Sequence, residues 1–536
     1  MSARADCDAV VIGAGFGGLY AVRRLTEAGL TVVAFEKAAD VGGVWYWNRY
    51  PGARCDCESF YYSYSFSEEL QQAWTWSLRY SGQPEILRYL SHVADRFDLR
   101  RHYRFSTAIT QAAFEEATGL WRVTSADGGV VSAQFLVTAI GCLSQVNWPD
   151  IKGVRGFQGR LLHTAQWPHE DVDFTGRRVG IIGTGASAVQ AIPRIAELAA
   201  RLTVFQRTAN WVLPAWNRAA DPEFDAWVKA NYGEIRARCL ASGGAVPFDP
   251  PTRAASDVSE AERDAVFESL WTLGGMRFFT AFTDLFTSEP ANAAAQAFVR
   301  GKILETVRDP ETARRLVPND HPIGVKRPPL DDDYYATFNR NTVELVDVRS
   351  TPILAVEGQV VRTADAEFEL DDLVVATGFD AITGPLLALD LQGRGGVRLA
   401  DVWRDGPQTY LGLGIAGFPN LFTVTGPLSP SVLANMPTAV EQHVDWIADC
   451  ILALRRSDIT TIEPADAAQA AWTTHTAEMV QGTLYPHSNS WYFGSNIPGK
   501  PRTFGVYLGG FSRYREHCKA IAQAGYEGFR LDAAPN

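Results

Sequence analysis

At 536 residues the chain is too long for one hydrophobic core, and 46% hydrophobic residues give it ample material for two to four domains. A net charge of -12 with no Lys/Arg-rich tract argues against nucleic-acid and anionic-membrane partners, so small molecules are the expected ligands. Glycines break the longest apolar runs below spanning length and no signal-peptide pattern opens the chain; with only seven cysteines, a reduced, cytoplasmic protein is the expectation.

Near the N-terminus, AVVIGAGFGGLYAVRRL reads as a buried strand, a tight turn and a helix, with Gly13, Gly15 and Gly18 in G-x-G-x-x-G register. Gly13 permits the turn, Gly15 lets a pyrophosphate approach the backbone, and Gly18 lets helix and strand pack closely. The helix start supplies free N–H groups for the phosphates. The next strand, LTVVAFE, ends at Glu36, eighteen residues beyond Gly18, where a carboxylate can accept from ribose hydroxyls.

Cys55 and Cys57 form a C-x-C pair. It could be read as redox-active or metal-binding, but no second pair or His cluster stands at ligand spacing. Packing or loop cysteines are the preferred reading, and no metal is expected. The stretch LVTAIGCLS, 136–144, looks like the returning strand that closes the first nucleotide unit.

FQGRLLHTAQWP, 157–168, reads as neither a clean helix nor a strand: Phe157, Leu161 and Leu162 suit a buried face, but Gly159 and Pro168 interrupt any period. A second strand–turn–helix follows in RRVGIIGTGASAVQAI, with Gly183, Gly185 and Ala188 in the same register. Its next strand, LTVFQRT, ends at Gln206, again eighteen residues on. A neutral Gln206 followed by Arg207 and Thr208 suits a 2′-phosphate, where the acid Glu36 would repel one, so this site should prefer NADP. Two such sites in one chain imply a flavoprotein, with FAD held by the first and hydride delivered from NADPH at the second.

From about 213 to 322 the composition turns helical, with 291–309 the clearest amphipathic helix. LDDLVVATGFD, 370–380, ending in Thr377-Gly378, reads as the second returning strand, and both returning strands as hinge-like crossings. The expected fold is α/β, with two Rossmann-like dinucleotide-binding domains, for FAD and NADP, and a helical insertion subdomain. The expected division is 1–145 and 376–536 for the FAD domain, 146–212 (with a linker motif at 156–168) and 323–375 for the NADP domain, and 213–322 for the helical part.

Phe157, Gly159, His163, Trp167 and Pro168 match the F-x-G-x-x-x-H-x-x-x-W-P fingerprint of the type I Baeyer–Villiger monooxygenases. GGVWYWNRYPGARCD matches a second, long fingerprint of that family through Gly43, Trp45, Tyr50, Pro51, Gly52 and Asp56. The resemblance extends along the chain, through VKRP at 325–328 and SWYFGSNIPGKPR at 490–502, and looks close to the phenylacetone and cyclohexanone monooxygenase branch. One departure is Ala188, where many relatives have glycine; alanine is tolerated at this packing position.

The resemblance implies insertion of one oxygen atom from O2 next to a ketone carbonyl, giving an ester or lactone through a C4a-peroxyflavin stabilised by Arg327 and NADP, with sulfoxidation as a further activity. By the same match Arg327 is the catalytic arginine and Asp56 its orienting partner. FAD is expected against Glu36, Lys37, Gly43, Trp45, Tyr50, Asp56 and Tyr62. NADP is expected against Gln190, Arg207, Thr208 and Lys326, under a mobile loop carrying Trp491. Ser431, Val432, Leu433 and Met436, in GPLSPSVLANMP, match the substrate-pocket loop. His163 is implied to couple domain movement rather than to touch the reacting atoms; a purely local buried hydrogen bond is the other reading. A flavin N-oxygenating enzyme, a flavin disulfide reductase and a non-catalytic nucleotide-binding redox sensor are the alternatives. A monomer or weak homo-oligomer is expected.

Overall fold

A computed structural model describes residues 5–533. Its first sheet has eight strands: β1 Cys7–Ile12, β2 Val32–Phe35, β3 Tyr103–Arg104, β4 Ile109–Glu115, β5 Leu120–Ser125, β6 Val130–Thr138, β15 Asp390–Gln392 and β16 Leu421–Thr423. The order is β15-β4-β5-β6-β1-β2-β3, with β16 also paired to β6. Its parallel centre, β6-β1-β2, is buried on both faces, which is why β1 reads as a nearly unbroken apolar run. Helix Phe16–Glu27 covers one face and packs on helix Met436–Arg456; Tyr20 joins the two by donating to Asp445 at 2.8 Å.

The second sheet is wholly parallel, in the order β10-β9-β8-β14-β7, built from β7 Arg160–His163, β8 Arg178–Ile182, β9 Arg201–Gln206, β10 Val343–Asp347 and β14 Asp372–Val375. A three-stranded antiparallel sheet, β11 Ile353–Glu357, β12 Val360–Thr363 and β13 Glu367–Glu369, precedes β14, and β17 Ile459–Pro464 pairs with β18 Phe529–Ala533 near the C-terminus. Each returning strand closes its own unit, β6 beside β1 and β14 beside β8.

The sequence reading of 157–168 as irregular is corrected here. Arg160–His163 forms β7, the edge of the second sheet, in register with Asp372–Val375. Four residues between Gly159 and a turn are too few to show a period, and the strand exists because β14 offers it a partner. Gly159 is required by close approach: a Cβ there would lie 2.4 Å from the Asp371 carbonyl oxygen.

Within 213–322, helices run Pro222–Ala230, Tyr232–Ala241, Glu260–Leu273, Glu289–Thr306 and Pro310–Leu316. The fourth begins at Glu289 because Ser288 caps it, accepting from Ala291 N, and it buries Ala291, Ala295, Val299 and Ile303 at four-residue steps. Those side chains share one core with Val179, Ile181 and Val204 of the second sheet, so this helical layer is cored against that nucleotide unit. The chain crosses between the two sheets twice, and the crossings pair with each other: Asn147 N donates to Gly378 O at 3.1 Å and Asp380 N to Gln145 O at 2.9 Å.

Candidate active site

The two glycine-rich turns open on one cavity of about 1680 Å³. Its wall includes Gly13, Gly15, Glu36, Lys37, Gly43, Trp45, Tyr50, Asp56 and Tyr62 from the first unit, and Gly183, Gly185, Gln190, Arg207, Thr208 and Lys326 from the second. Arg327, Val432, Met436 and Trp491 complete the set of sequence-derived residues brought together there. Gly18 and Ala188 lie behind the wall, in the helix–strand contacts. A Cβ on Gly18 would come within 1.7 Å of the Gly13 carbonyl oxygen, whereas Ala188 is accommodated fully buried, so the two turns differ in closeness.

Both turns fit phosphate-bearing ligands. The helices that start at Phe16 and Ala186 have glycine N-caps with no side-chain hydrogen bond, while Ser67, Asp221, Ser259, Ser288 and Asp309 cap helices elsewhere. Their first-turn N–H groups thus remain available at the dinucleotide turns. Glu36 is buried and its carboxylate accepts from Ala14 N and Ala38 N, both at 2.8 Å, which fixes it at the end of β2.

At the second turn, Arg207 and Lys326 have no carboxylate within salt-bridge distance among the described residues. Burial pulls the Lys326 ammonium below its usual range, and nearby Arg207 and Arg349 act the same way against Asp320. Arg349 and Asp320 escaped the sequence reading. Arg349 donates to Asp320 at 2.7 Å, and both line the cavity. The missed signal was its place just past β10, the strand beside β9, so that two strand ends deliver Arg207 and Arg349 to the same region. Gln206, by contrast, turns its amide away, donating to Arg315 O at 2.7 Å.

Arg327 and Asp56 meet in the cavity wall between the turns. The guanidinium Nε and Nη2 donate to the two carboxylate oxygens, the second at 2.9 Å, and Nη1 donates to Val432 O at 2.7 Å. Their side chains are 28% and 27% exposed, so the pair still faces the cavity. Burial works against the Asp56 carboxylate, but Arg327 more than offsets it and holds the carboxyl below its usual range. A bidentate fork of this kind fixes the plane of the guanidinium as well as its charge.

The long fingerprint is tied across to the second unit. Tyr50 donates its hydroxyl to Gln190 Oε1 at 2.9 Å, and Gln190 Nε2 donates to Arg54 O at 3.1 Å. Burial pushes the Tyr50 phenol up to about 12, so it acts as a neutral donor. Trp45 Nε1 donates to Tyr62 at 3.2 Å, and Trp167 N to Trp47 O at 3.2 Å, so the end of the shorter fingerprint is pinned to the helix of the longer one. Phe157 and Trp167 are buried anchors and Pro168 is half-buried; none of these three lines the cavity.

His163 is 3% exposed and lies under the two crossings. Nδ1 accepts from Ala165 N at 3.1 Å and Nε2 faces Asn147 O at 3.3 Å. The four residues expected in the substrate loop are separated by the fold. Val432 and Met436 reach the wall, while Ser431 is fully buried and Leu433 is partly buried against the apolar cluster that holds Val325, Tyr485 and Phe504. Ser431–Leu433 is a 3-10 turn, whose successive side chains point about 120° apart and cannot share one wall. The loop bearing Trp491 is docked on the second crossing, with Asn496 Nδ2 donating to Phe379 O at 2.8 Å and Lys500 paired to Asp380.

Residues 7–241 match the flavin-binding monooxygenase-like family. A Baeyer–Villiger monooxygenase of Pseudooceanicola batsensis is 45% identical over 526 residues, 97% of this chain and 96% of its own. A phenazine N-monooxygenase of Lysobacter antibioticus is 43% identical over 533 residues, 99% of this chain and 98% of its own. Among solved structures, an oxidized steroid monooxygenase bound to NADP is 52% identical, with a TM-score of 0.95 over 98% of this chain and 100% of that one. Likeness of this degree from end to end, with both fingerprints present, means that the chain belongs to the class B flavoprotein monooxygenases, beside the Baeyer–Villiger enzymes of the cyclohexanone and phenylacetone type.

Proposed function

We propose that this enzyme, with FAD and NADPH as cofactors, inserts one oxygen atom of O2 beside the carbonyl of a small-molecule ketone to give an ester or lactone. The observation that carries the reading is the Asp56–Arg327 fork, set in the wall of a cavity that both dinucleotide turns share. When bound, the flavin supplies hydride acceptance and oxygen activation. Arg327 contributes a cation that no surroundings will deprotonate, set where negative charge develops on oxygen during transfer to the carbonyl. Asp56 keeps that cation oriented. Arg207, Lys326 and Arg349 form the recognition patch for the 2′-phosphate, and the Trp491 loop closes the cavity against water. Sulfoxidation uses the same cation on a softer acceptor.

The test is turnover of FAD-loaded protein with NADPH and O2 on linear, cyclic and aryl ketones, a thioether and a tertiary amine, with products identified by mass. Esters or lactones with one added oxygen support the reading. N-oxide without ester would move the enzyme to nitrogen oxygenation, the second reading, which the match to a phenazine N-monooxygenase over 99% of this chain favours. Among the described residues no helix is long and apolar enough to cross a membrane.

A further inference from the structure

We propose that Cys55 and Cys57 form a peroxide-sensitive dithiol in the active-site wall, which closes to a disulfide and reversibly disengages the intervening Asp56 from Arg327. Both cysteines are free and both line the cavity. The Cys55 and Cys57 sulfurs and an Asp56 carboxylate oxygen lie within 4.8 Å of one another. The Cys57 backbone N–H already donates to Cys55 Sγ at 3.4 Å, so that sulfur is turned toward its neighbour. Cys57 Sγ stands 3.9 Å from Asp56 Oδ1 and 4.0 Å from Arg327 Nη2. The same geometry could be read as a metal site, but Asp56 is already committed through both oxygens to Arg327, which leaves only the two sulfurs.

The two thiols have unlike roles. Burial holds the Cys55 thiol well above its ordinary range, and charge on Cys57 adds to that. Cys57 is the sulfur that attacks first, because Arg327 Nη2 stands 4.0 Å from it as a positive partner for charge developing on it. Cys57 sulfur takes one oxygen of hydrogen peroxide, breaking the O–O bond; hydroxide leaves and is protonated to water. Cys55 sulfur then displaces the hydroxyl of the sulfenic acid, forming the S–S bond and releasing a second water. Two thiols thus lose two protons and two electrons to one peroxide. The bond requires the sulfurs to close to about 2 Å, which draws Cys57 away from Arg327 and turns the backbone that carries Asp56. An exogenous thiol restores the dithiol.

The disulfide needs only peroxide; its effect on turnover rests on the role proposed above for Arg327. The test treats FAD-loaded enzyme with a few equivalents of hydrogen peroxide, without NADPH, then alkylates with iodoacetamide, digests with trypsin and weighs the peptides. Residues 55–79 form a single tryptic peptide holding these two cysteines and no other, with Cys142 in a separate peptide. The expected result is a 55–79 peptide two hydrogens lighter and unalkylated, restored by dithiothreitol, with turnover falling by roughly ten- to a hundred-fold and recovering in step. In Cys55→Ser, dimedone should label Cys57; in Cys57→Val, the reversible loss should vanish.

A fully alkylated 55–79 peptide after peroxide, or irreversible oxidation of Cys57 in wild type, overturns the pairing without reliance on any variant. Disulfide formation with unchanged turnover overturns the switch and leaves the pairing. Absence of ester before any peroxide is added defeats the proposed function instead, and the mass of the peptide still decides the disulfide.

Discussion

The imidazole of His163 faces the carbonyl oxygen of Asn147 at 3.3 Å, and the same oxygen accepts the Thr377 hydroxyl at 2.6 Å. Asn147 lies on the first crossing between the sheets and Thr377 on the second. One carbonyl therefore gathers both crossings and the edge strand of the second sheet. The coupling that the resemblance implies for His163 is tested at this junction.

His163→Ala should lower coupled oxygenation about ten-fold, the size expected for loss of one buried hydrogen bond of roughly 1.4 kcal/mol, while FAD remains bound. His163→Gln, which can still donate to Asn147 O, should recover part of it. Unchanged ester formation in the alanine variant, with unchanged amide exchange at 145–149 and 377–380, would leave the residue a local filler.

Arg327→Ala should still allow NADPH to reduce the flavin but cut ester formation by roughly 100-fold or more, because the charge is needed as oxygen is transferred. Anaerobic reduction followed by product analysis separates the two stages. Ester at near wild-type rate would remove Arg327 from the mechanism.

Arg207→Ala and Arg349→Ala should each raise the Michaelis constant for NADPH by roughly ten-fold or more and leave that for NADH nearly unchanged, since each removes one charge-assisted contact to the 2′-phosphate. Asp320→Asn should act in the opposite direction by releasing Arg349 from its carboxylate. Equal effects on both nucleotides would place phosphate recognition elsewhere.

Acid stability should depend on His443, which is fully buried, accepts from Thr425 N at 2.9 Å through Nδ1, and is pushed down by burial to about 3. A depressed histidine favours the folded state at pH values above the unfolded value near 6.5, and that support is lost as pH falls toward 3. The full span corresponds to roughly 5 kcal/mol as an order of magnitude. His443→Asn, which keeps an acceptor near Thr425 N without titrating, should flatten the fall in urea stability between pH 7 and pH 4.5. A parallel fall in both proteins would assign the acid limb to other groups.

Much of the site was legible before any coordinates. The dinucleotide turns were readable because glycine spacing and the strand-end residues Glu36 and Arg207 act over a few residues of chain, where local geometry dictates residue type. The long helix expected over 291–309 was readable in its interior for the same reason, from its four-residue period, while its ends lie at Glu289 and Thr306 because Ser288 caps its start and Asp309 caps the next helix. Strand β7 was not, because four residues carry no period and its existence depends on β14, some two hundred residues away in the chain. Arg349 was missed because its relevance comes from the pairing of β10 with β9.

The chain by itself therefore determined the cofactor turns, the family and the residue types that carry charge into the site, since these are local or motif-level requirements. Tertiary structure alone decided which of those residues meet. It brings Arg327 onto Asp56 across 271 positions, ties Gln190 to Tyr50, turns Ser431 away from the cavity and Val432 toward it, and sets the Cys57 sulfur beside the same arginine. The reason is physical: contact between distant segments is fixed by how two sheets and their crossings pack, and packing is a property of the whole chain.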